Sequence, residues 1–259
     1  MTSDLVLVER QGKVLRLTMN RPEAMNVLDE PLAEALLSAF SGVADDSSIA
    51  AVVLAGAGRS FMAGGDLSRF RDDLDAAPQT ASFLIDRFHA VMRLIKAMPQ
   101  PVIAAVQGPV AGGGVGLALA CDLVIAAQDS SFLSAYTKVG TNPDGGTSWS
   151  LTRLLGPRRA LAFMLFNDKI GAEQALEFGL VNSVVPSDEL QTAAMAMALR
   201  IAEGSRGAIA ATKQLVLSAT SGPFDEQLER EQAAFVKNAG QADFREGITA
   251  FFEKRPARF

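Results

Sequence analysis

Two apolar segments, at 50–55 and 101–106, each lead into a glycine-containing loop, and this pattern constrains the fold more than any other feature. Continuous apolar runs of this length indicate strands that are buried on both faces. Segments with the apolar spacing of amphipathic helices stand near them, at 31–43 and 81–97. Buried strands that alternate with helices predict an α/β fold with parallel strands and crossover connections.

The pattern changes from about Thr147 onward, where helical segments follow one another and only 181–185 is predicted to be a strand. These helices are predicted at 148–154, 157–166, 172–178, 188–203, 207–219, 223–239 and 242–254. Residues 68–80 are predicted to form a surface loop or irregular helix. We therefore expect an α/β core over 1–195 and a C-terminal helical region over 196–259.

Composition excludes several classes of function. The net charge of −5 predicts no broad basic surface, so nucleic acid is not an expected partner. No segment approaches the roughly 20 apolar residues of a membrane span, and the N-terminus lacks a signal-peptide core, so we expect a cytoplasmic protein with no membrane partner. With one histidine, His89, and one cysteine, Cys121, no metal site is expected. Cys121 lies in an apolar helical setting and is predicted to be a core thiol.

The second glycine loop, 112–116, reads Gly-Gly-Gly-Val-Gly, but Leu117 stands where a dinucleotide-binding fingerprint needs its last glycine. A phosphate loop ending in Gly-Lys-Ser/Thr is also absent from the sequence. Glycines after a strand can instead expose backbone N–H groups, and two such groups from different loops form an oxyanion hole. Tight packing of a strand on a helix is the alternative interpretation.

Several stretches match one known family in order along the chain. They are Asn20-Arg21-Pro22, Asn26-Val27-Leu28, Ser60 to Leu67, Pro101 to Gly108, Ala111 to Gly114, Cys121-Asp122, Ala172 to Val185 and Arg245 to Arg255. In these stretches the chain resembles the crotonase (enoyl-CoA hydratase/isomerase) superfamily. The match spans nearly the whole sequence, so it is specific as a fold assignment.

The resemblance implies a spiral of β-β-α units with a C-terminal helical trimerisation region, assembled as a homotrimer or a dimer of trimers. It implies an acyl-CoA thioester substrate, with no cofactor beyond the coenzyme A moiety. The N–H groups of Gly65 and Gly113 are expected to bind the thioester oxygen. The residues implied to contact the coenzyme are Met25, Ala63, Asp66 and Leu67, with Phe251 and Lys254 of a neighbouring subunit.

The chain departs from the family pattern at the two glutamates that hold water in hydratases, because Gly116 and Tyr136 stand at those positions. Asp144, in Asn142-Pro143-Asp144-Gly145-Gly146, is either a turn residue or a catalytic acid. The segment around Asp144 resembles that of ring-type enoyl-CoA isomerases, where an aspartate moves a proton. It also resembles 4-chlorobenzoyl-CoA dehalogenase, which has a nucleophilic aspartate, an aromatic residue at the place of Tyr136 and a histidine at the spacing of His89.

The leading hypothesis is movement of a double bond between the 2,3 and 3,4 positions of an enoyl-CoA, with Asp144 as acid and base. A nucleophilic dehalogenase or thioester hydrolase that uses Asp144 and His89 is the first alternative. The low aromatic content, 7%, counts against the dehalogenase. The remaining alternatives are a hydratase with an atypical site and a non-catalytic acyl-CoA-binding protein.

Overall fold

A computed structural model describes residues 5–71 and 73–259 of the protein. Its strands are β1 (Val6–Gln11), β2 (Val14–Met19), β3 (Ala51–Gly56), β4 (Val102–Val106), β5 (Pro109–Ala111), β6 (Leu123–Ala127), β7 (Ser131–Leu133), β8 (Ile170–Gly171) and β9 (Ser183–Val185). Its α-helices are α1 (Glu30–Asp45), α2 (Ser68–Arg71), α3 (Ala77–Ala97), α4 (Gly113–Ala120), α5 (Thr147–Phe166), α6 (Ala172–Glu177), α7 (Leu190–Ala202), α8 (Arg206–Ala219), α9 (Phe224–Ala239) and α10 (Ala242–Glu253). Short 3-10 helices cover Pro22–Ala24 and Tyr136–Val139. The predicted α/β class is confirmed.

The strands form two sheets. The larger sheet has the order β1-β2-β3-β4-β6-β9, in which only the β1–β2 pair is antiparallel. The smaller sheet has the order β5-β7-β8. None of its strands was predicted, because segments of two or three residues are too short to show an alternating pattern. The expectation of a single strand after Thr147 was therefore wrong, since β8 precedes β9.

Three successive turns of chain repeat the same β-β-α arrangement. Each turn runs from a strand of the large sheet to an extended segment that lies in or beside the small sheet, and then to a helix. The extended segments stack through Met62, Val110 and Phe132, which pair in parallel in that order. This is the spiral of β-β-α units that the resemblance implied, and it brings the segments after successive strands side by side.

The large sheet is covered on both faces. Side chains that alternate along each strand point to opposite sides, so Val53 and Ile103 join one apolar cluster while Leu54 joins the other. Helix α7 covers the first face through Ala194 and Ala198. The proposed division at residue 195 falls inside α7, which packs on the sheet; the two-region organisation itself stays a prediction.

Two further predictions concern the division of the 148–166 helix and the segment 68–80. Gly156 interrupts α5 with a non-helical φ of 73°, as the division into two helices predicted. Of the two alternatives for 68–80, a surface loop or an irregular helix, the structure has short helical pieces, because α2 and the start of α3 lie within this range. Pro78 stands in the first turn of α3, where a residue without an N–H is well tolerated. Position 72 lies outside the described residues.

A buried ion pair attaches helix α8 to the α/β core. The Lys213 ammonium lies 2.8 Å from the Asp122 carboxylate and donates to the carbonyl oxygens of Ile95 and Gln100 at 2.7 and 3.1 Å. Cys121 stands next to this pair and is buried, as predicted for a core thiol. Burial, with the nearby Asp122 charge, raises the pKa of the Cys121 thiol to about 12. Within 5–71 and 73–259, no helix is long and apolar enough to cross a membrane.

Candidate active site

The two glycine loops lie next to each other in parallel. Met62 pairs with Val110, and the Ala111 N–H donates to the Met62 carbonyl at 3.0 Å. Further along, a Cβ added to Gly112 would stand 3.6 Å from the Gly64 Cα. Gly65 and Gly113 directly follow Gly64 and Gly112 in the two loops. The spiral therefore unites the two residues that the resemblance named for the oxyanion hole.

Close packing between the loops explains part of their glycine content. A Cβ on Gly114 would overlap the Met62 carbonyl oxygen, so no larger residue fits without a backbone shift. Gly64 has a φ of 99°, which side-chain-bearing residues rarely adopt. The packing interpretation and the oxyanion-hole interpretation of these glycines are thus compatible, since Gly64 and Gly114 pack while Gly65 and Gly113 reach the surface.

The N–H groups of Gly65 and Gly113 have the geometry expected of free donors. Gly113 is the first residue of α4, where N–H groups have no partner within the helix. Leu28 forms backbone bonds of 2.8 Å with Gly64 and Asp66, which leaves the Gly65 N–H between them pointing elsewhere. Neither N–H donates to any protein group in the described part of the chain. The positive end of the α4 dipole adds to this potential for binding an anionic oxygen.

Asp144 forms its principal side-chain contact with Tyr136. The phenol donates a short hydrogen bond to Asp144 Oδ1. Burial, reinforced by the Asp144 carboxylate, raises the pKa of the Tyr136 phenol well above its usual range, so the phenol remains a neutral donor. Ala135, with a φ of 64°, turns the chain so that the short helix Tyr136–Val139 faces the Asp144 segment.

His89 contacts the same segment from helix α3. Its Nε2 atom accepts a hydrogen bond from the Gly145 N–H at 3.2 Å. Gly145 and Gly146 have φ values of 57° and 71°, and the Thr147 N–H bonds the Asp144 carbonyl at 2.9 Å. Asp144 is thus both a turn residue and a partly buried side chain within a cluster. The structure brings together His89, Tyr136 and Asp144, the three side chains that the sequence selected.

The ring of Phe88 connects this cluster to the second glycine loop. Its Cε1 atom lies 3.3 Å from the Cβ position of Gly113 and 3.0 Å from the Cβ position of Gly145. Phe88 is buried and directly precedes His89 on α3. The Asp144 turn and the Gly113 N–H are therefore neighbours on one aromatic ring. The sequence did not indicate this contact, because Phe88 has the spacing of an ordinary core residue.

The space beside Gly116, where the resemblance implies a glutamate in hydratases, is filled here. A Cβ on Gly116 would lie 2.8 Å from both the Gly145 carbonyl oxygen and the Thr147 hydroxyl. Thr147 is fully buried, and its hydroxyl makes no well-oriented hydrogen bond with any described residue. The hydroxyl lies near the Tyr136 phenol, whose pKa is raised chiefly by burial. Sequence reasoning missed Thr147, since nothing distinguishes it from a helix-start residue.

The residues predicted to contact the coenzyme from the same chain lie beside the first loop. The Ala63 N–H donates to the Met25 carbonyl at 3.1 Å, and Leu67 is 56% exposed. The Asp66 carboxylate accepts from the Ser68 hydroxyl and contacts Arg21 at 3.4 Å. The Ser68 hydrogen bond, aided by Arg21, lowers the pKa of Asp66. The Asp66 carboxylate already has partners within the protein. Its predicted contact with coenzyme A stays a prediction.

Phe251 and Lys254 lie in a different part of the chain, in the last turn of α10 and just after it. Phe251 is 75% exposed, and Lys254 ends the helix in a left-handed conformation with a φ of 55°. Their predicted position against a neighbouring subunit stays a prediction. Among the residues that the structure describes, no group of three or more His, Cys, Asp or Glu side chains is arranged to hold a metal ion.

Comparison with known proteins identifies the family and the fold. A family model described as "Enoyl-CoA hydratase/isomerase" matches residues 9–259. The chain belongs to the enoyl-CoA hydratase/isomerase family. The predicted crotonase superfamily is confirmed, and the protein is an acyl-CoA enzyme of this family.

Relatives within the enoyl-CoA hydratase/isomerase family carry both kinds of name. A "Probable enoyl-CoA hydratase" of Rhodobacter capsulatus is 38% identical over 94% of this chain and 93% of its own. The 1,2-epoxyphenylacetyl-CoA isomerase of Escherichia coli K12 is 35% identical over 99% and 98%. The crystal structure of an enoyl-CoA hydratase from Polaromonas sp. JS666 superposes with a TM-score of 0.94 at 36% identity, with 98% of each chain covered.

Proposed function

We propose that this family member moves a double bond between the 2,3 and 3,4 positions of an enoyl-CoA, with Asp144 as the only catalytic carboxylate. The observation that carries the proposal is the Asp144 side chain itself. It is held by Tyr136 on a turn that shares the Phe88 ring with Gly113. The two positions at which hydratases of the family have glutamates are Gly116 and Tyr136.

One carboxylate is sufficient for this reaction. The N–H groups of Gly65 and Gly113 bind the thioester oxygen and stabilise the negative charge that develops on it. The Asp144 carboxylate removes a proton from carbon 2 of a 3,4-enoyl thioester, which gives a dienolate and a carboxylic acid. The acid then returns the proton to carbon 4, and the double bond moves to the 2,3 position. Protons balance, and no water is consumed.

The alternative functions receive less support from the same contacts. A dehalogenase or hydrolase needs His89 as a base, yet His89 Nε2 already accepts the Gly145 N–H. A hydratase of the usual kind needs two carboxylates, and the space beside Gly116 is occupied by Gly145 and Thr147. If the protein only bound acyl-CoA, it would not need a partly buried carboxylate that is hydrogen-bonded to a phenol beside the proposed thioester site.

The substitution Asp144→Asn tests the proposal, because it preserves volume and turn preference but removes the basic oxygen. Turnover of a 3-enoyl-CoA should fall by about 10²–10⁴-fold. Affinity for a saturated acyl-CoA should stay close to wild type, since backbone groups bind the thioester. Wild-type enzyme in deuterated water should exchange protons at carbon 2 or carbon 4, and the variant should not. A variant that isomerises and exchanges like wild type would reduce Asp144 to a turn residue.

We further propose a homotrimer or a dimer of trimers in which Phe251 and Lys254 approach the coenzyme of a neighbouring subunit. Large apolar side chains exposed on the C-terminal helices support an assembly. They include Phe224, Phe235, Val236, Phe251 and Phe252, all at least 65% exposed in the single chain. Burial of such side chains against another subunit is favourable. A light-scattering mass equal to one chain at micromolar concentration would contradict this assembly.

A further inference from the structure

We propose that Tyr136 and His89 are positioning residues that hold Asp144 from two sides, the phenol at its carboxylate and the imidazole at the turn that carries it. This inference rests on the proposed role of Asp144 as the proton carrier. It assigns to His89 a function different from that of a base. It also gives Tyr136 a role that does not depend on direct contact with the substrate.

The phenol of Tyr136 selects one orientation of the carboxylate. It donates to Oδ1 of Asp144, which leaves Oδ2 free of this bond and available as the base. A free aspartate rotates about two side-chain bonds, and a misdirected base loses most of its effectiveness. Because burial keeps the phenol protonated, Tyr136 acts only as a donor to the carboxylate. The contact is charge-assisted when Asp144 is ionised, and such bonds are the stronger ones.

The imidazole of His89 holds the backbone next to Asp144. Gly145 and Gly146 follow the carboxylate residue directly, and both occupy the left-handed region. Two consecutive glycines have wide conformational freedom, so an external contact is needed to keep one geometry. Nε2 accepts the Gly145 N–H, which requires an unprotonated Nε2 and therefore a proton on Nδ1 when the ring is neutral. Use of Nε2 as a base would break this contact.

A set of matched variants tests the assignment. Tyr136→Phe removes the hydroxyl alone. His89→Met fills the space without an acceptor, whereas His89→Gln places an amide oxygen near the Nε2 position. Thr137→Val is the control, because it removes a hydroxyl from the same short helix. That hydroxyl contacts Met164 and Asn167 instead of Asp144.

We expect Tyr136→Phe to lower kcat for double-bond migration by about 10- to 100-fold, with KM changed less than about threefold. His89→Met should lower kcat by roughly tenfold, and His89→Gln should restore most of it. Hydrogen exchange of the Gly145 amide should quicken in His89→Met and return toward the wild-type rate in His89→Gln. Thr137→Val should leave kcat unchanged. No variant except Asp144→Asn should abolish proton exchange at the substrate.

The results separate failure of this inference from failure of the proposed function. If Asp144→Asn loses isomerisation while Tyr136→Phe and His89→Met match wild type, the positioning assignment is wrong and the function stands. Equal losses in His89→Met and His89→Gln, with wild-type exchange at Gly145, would overturn the role of His89 alone. If Asp144→Asn keeps full activity, the function itself fails. Release of free coenzyme A or halide that depends on His89 would instead make His89 a base.

Discussion

The two glycine loops and the segment from Ser134 to Thr147 are built in contrasting ways. The loops are fixed by backbone hydrogen bonds, such as that from Ala111 to Met62, and by glycines that allow close approach. In the Asp144 segment, side chains add to the backbone bonds of the turn: the Tyr136 phenol binds the carboxylate, and the His89 imidazole accepts the Gly145 N–H.

The comparison explains how one fold serves reactions of different kinds. A site made of backbone N–H groups binds any thioester oxygen and tolerates changes in the side chains around it. A segment whose geometry depends on a few side chains is more sensitive to their replacement. The names of the relatives, which include a hydratase and an isomerase, fit a common binding part combined with a variable catalytic part.

Among the glycine and lysine substitutions that test this comparison, the largest effect is expected from Gly114→Ala in the backbone-built region. The new methyl group would overlap the Met62 carbonyl oxygen and separate the two loops. Acyl-CoA binding and turnover should both fall, with turnover reduced by more than about 100-fold or the fold lost. Calorimetric binding and melting temperature distinguish these outcomes. Gly42→Ala is the control, because an added Cβ there meets nothing within 4 Å. Near wild-type behaviour of Gly114→Ala would show that the loops adjust easily.

An intermediate effect is expected from Gly116→Ala, which affects only the side-chain-built region. Its Cβ would press on the Gly145 carbonyl and the Thr147 hydroxyl, each 2.8 Å away. The Asp144 turn should shift, and kcat should fall by about 10- to 100-fold while acyl-CoA affinity changes little. Steady-state kinetics and a binding titration measure the two quantities. Loss of affinity in proportion to kcat would mean that the two regions are not separable.

The smallest effect is expected from Lys254→Gln. Backbone groups of the glycine loops are proposed to bind the thioester, so one lysine charge should contribute little to acyl-CoA affinity. If Lys254 of a neighbouring subunit lies near the coenzyme phosphates, affinity for free coenzyme A should fall by a factor of about three to ten at low salt. The kcat value should not change. Lys237→Gln, on the exposed face of α9, removes an equal charge as a control. Equal affinities for both variants and wild type would locate the phosphate site elsewhere.

Much of the fold and of the candidate site followed from local sequence patterns. The buried strands at 50–55 and 101–106 and the break at Gly156 are local signals, since each depends on neighbouring residues. The small sheet was missed because its strands are too short to have a period. Gly65, Gly113 and Asp144 were selected through the family resemblance, and the structure brings the segments that carry them together.

Sequence alone determined which residue types are available: glycines after two strands, one carboxylate at position 144 and no glutamate at position 116. Tertiary structure alone decided how they are used. It directs His89 Nε2 to the Gly145 backbone and seats Phe88 between the two parts of the site. Residues 88 and 145 are far apart in sequence, and their contact depends on how α3 packs against the spiral. No local pattern encodes the direction of a side chain across such a distance.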